Sequence, residues 1–218
     1  FDQVALLLLV LVPLAGAIMT MFHYRDRPSD VWYFAVIVAG LALALSLFIF
    51  ARYDYAEGGY QFERTYQWLD APVDISLSLG IDGISLFMVL LTTFTMPLAI
   101  LGSWNYIKER ESPFYALMLV LTTGMLGVFV ALDMFLFYVF WEIMLIPMYF
   151  IIGVWGGARR IYAAVKFFVY TFFGSLLMLV AIIVMYVVVG RETGEYSFSY
   201  EHLLQNVQYL GEWAFWLF

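Results

Sequence analysis

Glu142 is the residue whose type and placement most directly suggest chemistry. It is the only charged side chain between Asp133 and Arg159, in a run otherwise built from apolar, aromatic and small residues. Such a run reads as a membrane-spanning helix, and a charge at its middle costs ~2.5–3.5 kcal/mol on insertion scales. Two states relieve that cost: the acid rests protonated, the form that desolvation favours, or a cation on another helix faces it. Both suit a proton carrier. The plain alternative is a neutral acid that hydrogen-bonds a helix backbone and only holds helices together. Pro147 adds to the first reading, because it cannot donate to the carbonyl of Ile143 and leaves an acceptor beside Glu142 for water or a proton relay. Prolines also occur in membrane helices for packing alone.

Lys166 is the second candidate for proton transfer. It stands five residues into the next apolar run, ~7–8 Å from that run's start, where a long side chain can snorkel to the headgroups. Glu142 is ~20 Å from the same boundary, and the axial gap of ~12 Å is more than one lysine stem spans. The two are therefore expected to communicate through water or not at all. Asp133 reads as a turn residue, and Asp82 followed by Gly83 as a helix N-cap.

Other chemistries find no residues. Cysteine is absent, which removes disulfides, thiolate zinc sites, iron–sulfur clusters and thioether-linked haem. The two histidines, His23 and His202, fall in connections and lack metal-ligand companions at useful spacing. No glycine-rich phosphate loop or nucleophile elbow occurs. Ten Lys and Arg against 17 Asp and Glu give a net charge of −7 without a basic tract, so nucleic acid is excluded as a partner.

The elements that must position Glu142 follow from composition. Of 218 residues, 65% are apolar and 12% charged, which excludes a water-soluble globule and points to a chain embedded in a lipid bilayer. About 20 apolar residues span the ~30 Å hydrocarbon core as a helix. Residues 3–22, 31–51 and 83–107 qualify, the third with Pro97 inside it and the hydroxyls of Thr92, Thr93 or Thr95 placed to shield the freed carbonyl of Thr93. Residues 112–158 would make a helix ~70 Å long, so they must fold back, and Asp133 marks the turn. Helices are therefore expected over 112–132, 133–155 and 161–190. Phe1 opens the chain and Trp213 to Phe218 begins another apolar run, the expected start of a seventh helix, so the sequence reads as part of a longer membrane protein. Residues 1–107 group three helices, and 108–218 the remainder.

The long connection before the third helix is different. Val73, Ile75, Leu77, Leu79 and Ile81 alternate with polar residues or glycine, and Phe62, Arg64, Tyr66 and Trp68 alternate with Glu63, Thr65 and Gln67. A β-hairpin over about 60–82 is predicted, turning at Asp70-Ala71-Pro72 and lying on a neighbour or a partner chain, because an isolated hairpin is marginal. Orientation follows from Lys and Arg. Seven (Arg25, Arg27, Lys108, Arg110, Arg159, Arg160 and Lys166) lie at or near the odd-numbered connections, against Arg52, Arg64 and Arg191 on the other side, which places the N-terminus outside. Trp32, Tyr33, Tyr53, Trp104, Tyr106, Tyr115, Trp155 and Tyr162 are expected at the interfaces.

The stretch from Leu132 through Phe140-Trp141-Glu142 and Pro147-Met148-Tyr149 to Phe150, with Ala164-Val165-Lys166-Phe167-Phe168 after it and Gly80-Ile81-Asp82-Gly83 before the third helix, resembles one family. These are the chain 4-type, antiporter-like M subunits of respiratory complex I, NADH:quinone oxidoreductase. Multisubunit sodium/proton antiporters share parts of the pattern. The resemblance implies an all-α polytopic fold of 14 helices with two inverted five-helix repeats, of which this chain holds six helices and the start of a seventh. It implies a proton-translocating subunit of a bacterial inner-membrane enzyme, without redox chemistry of its own. FMN, iron–sulfur clusters and quinone would belong to other subunits, and its partners would be membrane subunits of the complex, including neighbouring antiporter-like ones. Glu142 maps to a glutamate that pairs with a lysine of a broken seventh helix, expected beyond Phe218, and Lys166 maps to a family lysine of helix six.

Overall fold

A computed structural model describes residues 4–22, 28–69 and 75–211. Among these residues, six helices are long and apolar enough to cross a membrane: α1 (Ala5–Phe22), α2 (Pro28–Arg52), α3 (Gly83–Gly102), α4 (Glu111–Val130), α5 (Met134–Trp155) and α6 (Arg160–Thr193). Between α2 and α3 lies an antiparallel hairpin, β1 (Gln61–Leu69) and β2 (Ile75–Ile81). Its turn at 70–74 lies outside the described residues, as do His23, Arg25, Arg27 and the apolar run 213–218.

Helix ends follow local chemistry. Asp82 caps α3, accepting from the Ser85 amide at 2.7 Å, while the Ser85 hydroxyl accepts from the Asp82 amide at 2.9 Å. α3 stops at Gly102, five residues short of the apolar run's end, and the Ser103 hydroxyl donates to the Ile100 carbonyl at 2.7 Å. α2 begins three residues earlier than its apolar run, because Pro28 is tolerated in a first turn and Asp30 complements the positive helix end. At the other extreme, α6 runs past Gly190 through Arg191-Glu192-Thr193 and ends at Gly194, whose φ of 79° is the left-handed conformation glycine adopts at low cost. Its 34 residues span ~51 Å, more than the hydrocarbon core requires.

α4 packs between α1 and α5, α1 and α2 pair, α3 packs on α2 and α4, and α6 leans on α5. Small residues allow the close approach that apolar side chains alone do not drive in lipid. A Cβ at Gly127 of α4 would enter the Phe140 ring of α5, and one at Gly124 would meet Met144. Threonine hydroxyls satisfy backbone near Pro97 differently from expectation: Thr92 and Thr93 donate to Met88 and Val89, one turn back, at 2.9 Å each. Thr93 also shares a 2.7 Å hydrogen bond with Ser46 of α2.

The hairpin leans on this chain itself. β1 and β2 pair in the register Arg64↔Leu79 and Tyr66↔Leu77, with a bulge near Phe62, whose φ is 58°. Leu79 and Ile81 are buried with Leu6, Leu86 and Val130, as the alternation requires. The Leu132 amide donates to the Ser78 carbonyl at 2.9 Å, joining β2 to the α4–α5 turn. From the other side, Met134 donates to Phe198 at 2.8 Å and Tyr200 donates to Leu132 at 2.9 Å. Residues 195–199 thus return from α6 to the same turn, followed by the short helix α7 (Tyr200–Gln205), which seats Leu203 against Met185 and Val189.

Candidate functional site

The α4–α5 turn sets the height of Glu142. Asp133, 1% exposed, accepts from the Phe135 and Leu136 amides at 2.9 Å each and starts α5. From Met134, Glu142 is eight residues along, ~12 Å, and from Trp155 it is 13 residues, ~20 Å, so it lies well inside the membrane span. Asp133, read from the sequence as a turn residue, is thus also the N-cap of α5.

Glu142 is partly buried and opens onto a cavity of about 420 Å³ between α5 and α6. Tyr138, Ile143, Ile146, Phe168 and Phe172 share its wall, and the last two rings stack at 9° with centroids 5.5 Å apart. Among the described residues, Glu142 Oε1 is buried without a hydrogen-bond partner. The Tyr138 hydroxyl, one helical turn before, interacts with the Glu142 carboxyl and with the Ser175 hydroxyl of α6. A buried carboxyl oxygen with no donor is costly when charged, and here a hydroxyl pair and a cavity lie beside the carboxyl. Pro147 is buried in the same helix, as its position five residues from Glu142 allows.

Lys166 is not brought to Glu142. It is exposed and lines a different cavity of about 740 Å³ at the α5–α6 turn, its Nζ 5.9 Å from the centroid of Tyr162. The side chain therefore reaches toward the start of α6, the snorkelling direction. Tyr138 and Ser175 escaped the sequence reading. Tyr138 had a usable signal, being four residues before Glu142 on the same helix face; Ser175, one of several hydroxyls in α6 with Thr171 and Thr193, had none that paired it with α5.

Near the odd-numbered connections, aromatic side chains gather as expected for an interface. The Trp32 indole donates to the Ile100 carbonyl at 2.9 Å and meets Trp104 with centroids 4.2 Å apart, and Trp155 donates to the Glu109 carbonyl at 2.9 Å. Tyr115 departs from that expectation. It is 1% exposed, packed against Phe114 and hydrogen-bonded with Ser103, because its place one turn into α4 faces α2 and α3 rather than lipid.

Residues 7–132 match the family described as NADH-ubiquinone oxidoreductase chain 4, amino terminus. Residues 131–217 match NADH:quinone oxidoreductase/Mrp antiporter, TM. The chain is 40% identical over 216 residues to NADH-quinone oxidoreductase subunit M of Rhodobacter capsulatus, covering 97% of this chain and 41% of that one. It is 37% identical over 204 residues to F(420)H(2) dehydrogenase subunit M of Methanosarcina mazei, covering 93% and 40%. Its fold is similar to a chain in respiratory complex I from Thermus thermophilus with bound NADH, with a TM-score of 0.75 and 28% identity over 92% of this chain and 39% of that one. The chain thus spans about two fifths of the length of these relatives.

Proposed function

Because this chain belongs to the chain 4-type M subunits of NADH:quinone oxidoreductases, we propose that it forms the first part of a proton path in the membrane arm of such an enzyme. The single observation that carries this reading is the unpartnered Glu142 Oε1 facing a cavity deep in the span. A buried acceptor of that kind is stabilised when a proton or a cation arrives, and the cation would be a lysine from the part of the polypeptide beyond Phe218. With the pair closed, that lysine keeps its proton; when the pair opens, desolvation favours the neutral amine and the proton leaves. Tyr138 and Ser175 would orient the carboxyl and hand the proton to water in the cavity. Lys166 would supply a second, peripheral step near the start of α6.

In this reading NADH oxidation and quinone reduction occur in other subunits, which hold the FMN and iron–sulfur clusters, and neighbouring antiporter-like membrane subunits are its contacts. The enzyme would lie in a bacterial inner membrane with the N-terminus of this subunit outside, since the cations at 108, 110, 159 and 160 fall on the side opposite the hairpin. A second reading, a subunit of a multisubunit sodium/proton antiporter, is favoured by the match of residues 131–217 to a family that includes Mrp antiporters. Affinity purification of the full-length subunit separates them. Co-purifying flavin and iron–sulfur subunits with NADH-driven proton uptake are expected; their absence, with sodium-dependent proton exchange, supports the antiporter and overturns the first reading.

A further inference from the structure

The cavity that holds Lys166 is electrostatically unusual. Arg159, Arg160 and Lys166 line it together with Tyr162, Tyr170 and the side-chain-free turn at Gly156-Gly157, and among the described residues no acid does. No Asp or Glu occurs between Glu142 and Glu192, while Glu109, whose backbone carbonyl meets Trp155, is not among the cavity's lining residues. Two of the three cations, Arg159 and Arg160, stand at the positive end of a helix whose first turn contains no acid and whose N-cap, Arg159, makes no side-chain capping bond. Like charges gathered at a helix N-terminus oppose folding unless an anion joins them.

We propose that this cavity binds the headgroup of an anionic phospholipid of the leaflet on the α5–α6 side. The site sits at the right depth: Trp155 ends α5 and Arg160 begins α6, the rings of Trp155 and Tyr162 flank the turn, and Lys166 is ~9 Å deeper, reaching back toward Tyr162. Below it, Tyr170, Phe173 and Leu177 are 83%, 65% and 59% exposed and follow Lys166 at three- and four-residue spacing, a largely apolar strip along which acyl chains can lie. Headgroup phosphate and acyl strip are thus presented in the order in which a lipid carries them, which a free phosphate would not use. Basic pockets between membrane helices recognise anionic lipids in this way. The site gives Lys166 a binding role that holds whether or not Glu142 carries protons.

The test uses the full-length subunit in its assembled complex, in phosphatidylcholine nanodiscs containing a photoactivatable phosphatidylglycerol, with the same acyl probe on phosphatidylcholine in parallel. The phosphatidylglycerol probe is expected to label peptides covering residues 156–173, excess inorganic phosphate should not displace it, and R159Q/R160Q should weaken its apparent affinity roughly thirtyfold. If the double variant does not assemble, R160Q alone should weaken it about fivefold. Equal labelling by both probes, unchanged labelling in the variants, displacement by phosphate, or no labelling of the unaltered subunit because later helices cover the cavity would each overturn the proposal.

Discussion

The Tyr138 hydroxyl, on the turn of α5 before Glu142, interacts with both the Glu142 carboxyl and the Ser175 hydroxyl of α6. This ties the acid to a second helix at the level of the cavity. Tyr138→Phe keeps the ring and removes that link. A neutral hydrogen bond contributes about 1 kcal/mol, so the rate of proton uptake is expected to fall up to about fivefold while assembly is unchanged. Normal pumping by this variant, measured in proteoliposomes, would show that the hydroxyl only packs.

Asp133 supplies a different kind of control. Its carboxyl caps α5 through two amides and lies against the Ser76 amide at 3.5 Å. Asp133→Asn retains a good cap and should pump normally. Asp133→Ala should lower the stability of the subunit by ~1 kcal/mol or more, read as a reduced melting temperature of the purified complex. Loss of pumping in Asp133→Asn with unchanged stability would instead make Asp133 a relay.

The spacing of α4 and α5 is set where Gly127 meets Phe140. Gly127→Ala should cost about 1–3 kcal/mol by overpacking and reduce the amount of assembled subunit, and Phe140→Ala in the same chain should recover part of the loss. Strictly additive effects in a double-mutant cycle would contradict the contact.

Much of the architecture was legible because a bilayer reduces helix finding to counting uncharged residues. Asp133 was enough to divide a run of about 47 residues into two helices, since one ~70 Å helix has no place in the membrane. The hairpin showed in the alternation of Leu77, Leu79 and Ile81, two of which are fully buried. What stayed hidden depends on contacts between distant segments. α7 is six residues long, and its Leu203 acquires meaning only against Met185 and Val189 of α6. The return of residues 197–200 to the α4–α5 turn is a set of backbone hydrogen bonds that leaves no side-chain pattern. Tyr115 looked like an interface ring because depth along a helix can be read from sequence, whereas the direction a ring faces depends on its neighbours. Ser175 meets Tyr138 for the same reason: the pairing belongs to the α5–α6 contact and to neither helix alone.

Lys166 and Glu142 line separate cavities, so their contributions should be separable. Lys166→Gln is expected to leave the response of pumping to Tyr138→Phe unchanged, with the two effects adding in a double-mutant cycle. Strong coupling between them, in the same proteoliposome assay, would require a continuous hydrated link between the cavities.

Glu142→Gln in the full-length subunit is the most direct test. The substitution keeps shape and hydrogen-bonding capacity but cannot release a proton. In the assembled enzyme, NADH-driven proton uptake should be abolished or greatly reduced with assembly intact. A Glu142→Gln enzyme that pumps as many protons per electron as the unaltered one would show that this buried carboxyl is packing and nothing more.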